Sequence, residues 1–146
     1  MPLRRITTDN VPMVSPASTV ADVISYIRAR AQKFESVDYV YVVGVGHTLV
    51  GVFSVRALFH YPAGTPIERF VTRSFVSVAP DTRPEAAANL ALRHGIKAVP
   101  VVDENGVFAG VIPNDAIKNI LYHEFRRDIF SFAGIHRSHA EFDNTL

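Results

Sequence analysis

Apolar positions along the chain switch repeatedly between helical and strand spacing, and the switch points divide it into elements. Behind Thr19, the residues Val20, Val23, Ile24 and Ile27 recur at three- and four-residue steps, predicting a helix whose start the threonine caps. Residues 39–43 and 49–55 are Val-rich runs on either side of Gly44, Gly46 and His47, predicting two buried strands around a turn. A second helix is expected from Thr82 as N-cap, with Pro84 and Glu85 in its first turn. A second strand pair follows, around Asp103, Glu104, Asn105 and Gly106. Asn105 and Gly106 both tolerate positive φ and signal a hairpin. The last element is a helix over about 113–133, with Ile117, Leu121, Phe125 and Ile129 every fourth residue and Ile120, Tyr122, Phe130 and Phe132 widening the stripe.

The chain matches itself. Residues 14–18 lie over 78–82 at an offset of 64, whereas 37–43 lie over 96–102 and 49–53 over 108–112 at an offset of 59. The fall in offset places five extra residues in the first copy, near Gln32 to Ser36. Each copy reads strand, helix, strand, strand, helix, and is too short to bury its own sheet, so the two must pack together. The expected fold is therefore α/β (α+β), with a first repeat over residues 3–61, a linker over 62–74 and a second repeat over 75–121. An extended C-terminal helix and tail occupy 122–146. Pro62, Gly64 and Pro66 stop the first repeat's closing helix.

Composition narrows the function. The 146 residues include no Cys, and their formal net charge is +1, so there is neither a thiolate metal site nor the basic stripe that nucleic acid requires. The N-terminus lacks the apolar core of a signal peptide, and the uncharged stretch at 39–55 is interrupted by glycines and short of the ~18 to 20 residues of a membrane span. A cytosolic chain is expected. Gly44-x-Gly46 reads as a turn, because a dinucleotide fingerprint needs a helix to start there. His136 and His139, and His123 with Glu124 and Asp128, lack a third convincing ligand. No Ser, His and Asp set sits on a nucleophile elbow, so catalysis is not expected.

The Gly51, Val52, Phe53, Ser54 order in the first copy, with Ala98-Val99-Pro100-Val101-Val102-Asp103 in the second, resembles the tandem CBS domain pair, or Bateman module, over residues 3–121. Residues 39–43, 49–58 and 128–135 are similar to the CBS region of MgtE-type magnesium transporters. The resemblance implies a non-catalytic, cytoplasmic regulatory module that forms a homodimer. It would report magnesium or an adenine nucleotide (ATP, ADP or AMP) to a transporter membrane domain through the helix that follows. The alternatives are a stand-alone nucleotide-binding regulator of a partner enzyme and a ligand-free dimerisation scaffold.

Carried over residue by residue, the resemblance places a nucleotide in the first-copy cleft. Ser54 would supply the cleft's hydroxyl, Arg56 would face phosphate, Tyr39 would neighbour adenine, and Val76 and Ile96 would complete the apolar walls. The carboxylate that usually binds ribose is replaced by Ala57, and by Ala116 in the second copy, where Pro113 also replaces the hydroxyl. For Mg²⁺ the remaining carboxylates are Glu85, Glu124 and Asp128, since Arg83, Ala116, Asn119 and Arg127 stand at other matching positions.

Overall fold

Thr19 starts helix α1 (Val20–Arg30) by a reciprocal cap. Its hydroxyl accepts from the Asp22 backbone N–H at 3.3 Å, and the Asp22 carboxylate accepts from the Thr19 N–H at 2.9 Å. The bond from the Thr19 backbone N–H, reinforced by the hydroxyl, holds the Asp22 carboxyl below its ordinary pKa. The structure, a computed structural model, describes residues 1–143, with side chains through residue 129.

Helix α2 (Pro84–His94) begins differently from the expectation. Pro84, with its φ already set for a helix, takes the first helical position, which makes Arg83 the N-cap. Thr82 instead donates its N–H to Ala79 in the preceding turn. The expected closing helix of the first repeat is also different: it is a six-residue 3-10 segment, Val55–His60. Tyr61, forced extended by Pro62, ends it. Helix α3 (Asn114–Asp143) continues beyond the expected end near Ala133.

Strands β1 (Met13–Val14), β2 (Tyr39–Val43) and β3 (Leu49–Ser54) form one sheet, with β1 parallel and β3 antiparallel to β2. Strands β4 (Val99–Val102) and β5 (Phe108–Ile112) form the second, antiparallel. In the turn between them only Gly106 takes positive φ, 82°, not Asn105. Asp103 Oδ1 accepts from the Asn105 and Val107 N–H groups at 2.8 and 2.9 Å, so an Asx turn makes the reversal. The sheets meet through the Thr48–Val107 bridge and the stacked rings of Tyr41 and Phe108, 5.2 Å apart.

The repeats also exchange their leading segments. A 3-10 turn at Leu3–Ile6 sets Leu3 and Ile6 into the second repeat's core beside Ala87, Ala91 and Ile112. The matching turn at Ile67–Arg69, within the expected linker, sets Ile67 and Phe70 into the first repeat's core beside Val23, Val40 and Leu58. Thr8 then bridges Val111 on β5, and Thr72 bridges Val52 on β3. Both crossings run over glycine. A Cβ on Gly110 would stand 2.4 Å from the Thr8 carbonyl oxygen, and one on Gly51 2.3 Å from a Val71 methyl.

The crossing at Gly110 makes a direct prediction. Its φ is 127° and the obstruction is backbone, so Gly110→Ala should lower stability by more than about 2 kcal/mol in urea denaturation. Gly64→Ala, with nothing within 4 Å of its added Cβ, should change it by less than about 0.5 kcal/mol. Equal effects would show that the crossing is not held tightly.

Candidate functional site

Between the repeats opens a cleft of about 290 Å³, close to the lower end of the ~300 to 1,000 Å³ range of small-molecule sites. It exists because β2 begins and β3 ends on one side of it, at Tyr39 and Ser54, while the chain leaving the Thr72 crossing brings Phe75 and Val76 to the other. Ile96, just beyond the left-handed Gly95 that ends α2, closes the wall. Four of the expected residues, Tyr39, Ser54, Val76 and Ile96, thus line one cavity.

Arg56 is not among its walls. It lines an adjoining cavity with Asp38 and Lys97, and this second space shares Tyr39 and Ser54 with the first. Ser54 caps the 3-10 segment by accepting from the Arg56 N–H at 3.3 Å, which leaves its hydroxyl hydrogen as the donor it offers a ligand. The Tyr39 hydroxyl accepts from the Lys97 N–H at 3.2 Å, tying the two repeats together where the cavities meet. Lys97 Nζ lies 3.8 Å from Asp38 Oδ1 in an exposed ion pair, weak enough at about 0 to 1 kcal/mol to exchange for another anion. The arrangement is an apolar slot opening onto a mouth with two cations and one carboxylate. Burial pushes the Tyr41 phenol well above its usual range.

Phe75, His94 and Lys97 also contribute, and motif reading missed them. For Lys97 a signal was available: the offset of 59 pairs it with Asp38 next to Tyr39.

The carboxylates expected for Mg²⁺ do not gather in one chain. Asn89 Nδ2 donates to the Glu85 carbonyl at 2.9 Å and to the Glu124 carboxylate at 3.4 Å, whereas Asp128 is exposed further along α3. Among the described residues no three His, Asp or Glu side chains converge as a metal site. The side chains of His136 and His139 lie outside the described residues. Gly44 and Gly46 lead through a 3-10 turn into β3, as expected. No helix among the described residues is long and apolar enough to cross a membrane.

The apolar stripe of α3 divides in two. Ile117 is buried and Leu121 packs on the second repeat's core, while Phe125 and Ile129 are 62% and 49% exposed, with Tyr122 beside them at 56%. The first half covers the molecule's own core and the second stands clear of it.

Comparison with known proteins agrees with this architecture. The CBS domain family matches residues 3–64 and again 67–123. A magnesium transporter MgtE of Thermus thermophilus is 30% identical over 122 residues, which are 84% of this chain but 27% of the relative. A crystal structure of the soluble part of a magnesium transporter aligns with a TM-score of 0.78 and 28% identity, covering 82% of this chain and 46% of that one. The cytosolic domain of the Mg²⁺ channel MgtE in complex with ATP aligns at 0.76 and 30% identity, over 79% and 46%. With both halves matched by one family, the chain belongs to the CBS domain family as a tandem pair.

Proposed function

We propose that the chain is a non-catalytic, cytoplasmic regulatory module that binds an adenine nucleotide in the cleft between its repeats and reports occupancy through α3 to the membrane domain of a magnesium transporter. The observation that carries this reading is the joined pair of cavities. The apolar slot of Tyr39, Phe75, Val76 and Ile96 suits a purine, and Arg56 and Lys97 at its mouth suit phosphate. The similarity to an MgtE cytosolic domain in complex with ATP supports the same ligand class. A route to α3 is also present. α2 ends at His94 in the cleft wall, and its Asn89 donates to Glu124 on α3.

One observation favours a second reading, a ligand-free scaffold. Ala57, where the resemblance expects a ribose-binding carboxylate, packs against the first repeat's core. Calorimetric titration separates the two. ATP should bind and adenosine should bind more weakly, and Arg56→Ala or Lys97→Ala should weaken ATP by about tenfold or more while leaving adenosine unchanged. Equal losses for both ligands would remove the cations from the phosphate site, and no binding of either would favour the scaffold. Magnesium chloride without nucleotide should leave the melting temperature unchanged. A rise abolished by replacing Glu85, Glu124 or Asp128 would instead assign Mg²⁺ as the ligand.

The exposed half of the α3 stripe supports a homodimer, in which a two-fold interface buries Tyr122, Phe125 and Ile129. Replacing Phe125 and Ile129 together by Asp should convert a dimer to a monomer in sedimentation, with the circular dichroism of the repeats preserved. A wild-type chain that sediments as a monomer at tens of micromolar would contradict this.

A further inference from the structure

The internal repeat gives the open cleft a counterpart across the pseudo-two-fold, with Val11 and Pro12 in place of Phe75 and Val76. The two places differ. Phe75 and Val76 are half-buried and line a cavity, whereas Val11 and Pro12 are fully buried.

Val11 belongs to the core with Tyr41 and Phe108, and the five extra residues of the first copy lie beside it. Helices α1 and α2 are both 11 residues long. From α2 the chain turns at Gly95 and reaches Ile96 at once. From α1 it continues through a 3-10 turn at Ala31–Lys33 and three more residues before Val37. That added segment is hydrogen-bonded to Asn10, two residues before Pro12. The Glu35 N–H donates to the Asn10 carbonyl at 2.9 Å, and Asn10 Nδ2 donates back to the Lys33 carbonyl. Asn10 is the counterpart of Ser74, which lines the open cleft. Phe34 packs at 5.7 Å on the ring of Tyr26, whose hydroxyl accepts from the Met13 N–H at 3.1 Å next to Pro12.

The mouth is changed independently. Pro113 and Asp115 stand where the open cleft has Ser54 and Arg56.

We infer that the five-residue insertion is a built-in occupant of the second cleft, so that each chain offers one small-molecule cleft rather than two. The identity of the ligand rests on the function proposed above, but the closure does not, and the experiment keeps the two apart.

The chain has no cysteine, so single cysteines at counterpart positions report access directly. A maleimide should modify Val76→Cys at least about tenfold faster than Pro12→Cys in otherwise unaltered chains. Deleting residues 32–36 should bring Pro12→Cys to a rate comparable with Val76→Cys. If the deleted chain loses its cooperative unfolding, the Asn10→Ala, Phe34→Ala pair, which loosens the same segment, carries the comparison. Equal rates in the unaltered chains would overturn the inference. So would continued protection of Pro12→Cys in a folded chain whose segment is deleted or loosened. In parallel, ATP should titrate with one site per chain, and two equivalent sites would also overturn it. If ATP does not bind at all, the nucleotide reading falls while the thiol rates still decide the closure.

Discussion

Two short segments crossing between repeats determine most of what this molecule is. Leu3 and Ile67 each leave their own repeat and are buried in the other, and a side chain of this kind fully buried contributes about 1.5 to 3 kcal/mol. Separated, each repeat would lose an apolar residue from its core and an edge partner from its sheet. The crossings need Gly51 and Gly110, because in both places the other chain segment occupies the space of a Cβ. The pair is therefore one structural unit, and its internal symmetry is a consequence of mutual dependence.

The cleft inherits that dependence. Tyr39 and Ser54 come from the first repeat, and Phe75, Val76 and Ile96 come from the chain leading into and through the second. A ligand there would touch both, so its binding energy would act on the relation between repeats rather than on either alone. The cleft is also the place where the symmetry stops being exact. On one side the chain passes quickly from α2 to β4 and leaves a slot; on the other, an added turn separates α1 from β2.

Much of the fold was legible because the repeat is strong in the sequence. The Val-rich strands, the cap at Thr19 and the position of the insertion all follow from periodicity and from the two offsets. What was not legible depends on tertiary placement. The exchange of leading segments leaves no local signal, since Leu3 and Ile67 look like ordinary apolar residues in irregular chain. The cap at α2 moved from Thr82 to Arg83 because the fixed φ of Pro84 outweighs a hydroxyl. Tyr39, Ser54, Val76 and Ile96 could be named in advance as residues that share one cavity, but the separate placement of Arg56, and the partnership of Lys97 with Asp38, required knowing which residues face each other across the pseudo-two-fold.

The measurement that bears most directly on this account is differential scanning calorimetry of the whole chain. Interlocked repeats predict one unfolding transition whose calorimetric enthalpy equals its van't Hoff enthalpy. Two resolved transitions, or a calorimetric enthalpy near twice the van't Hoff value, would show that the repeats unfold separately and that the crossings do not bind them into one unit.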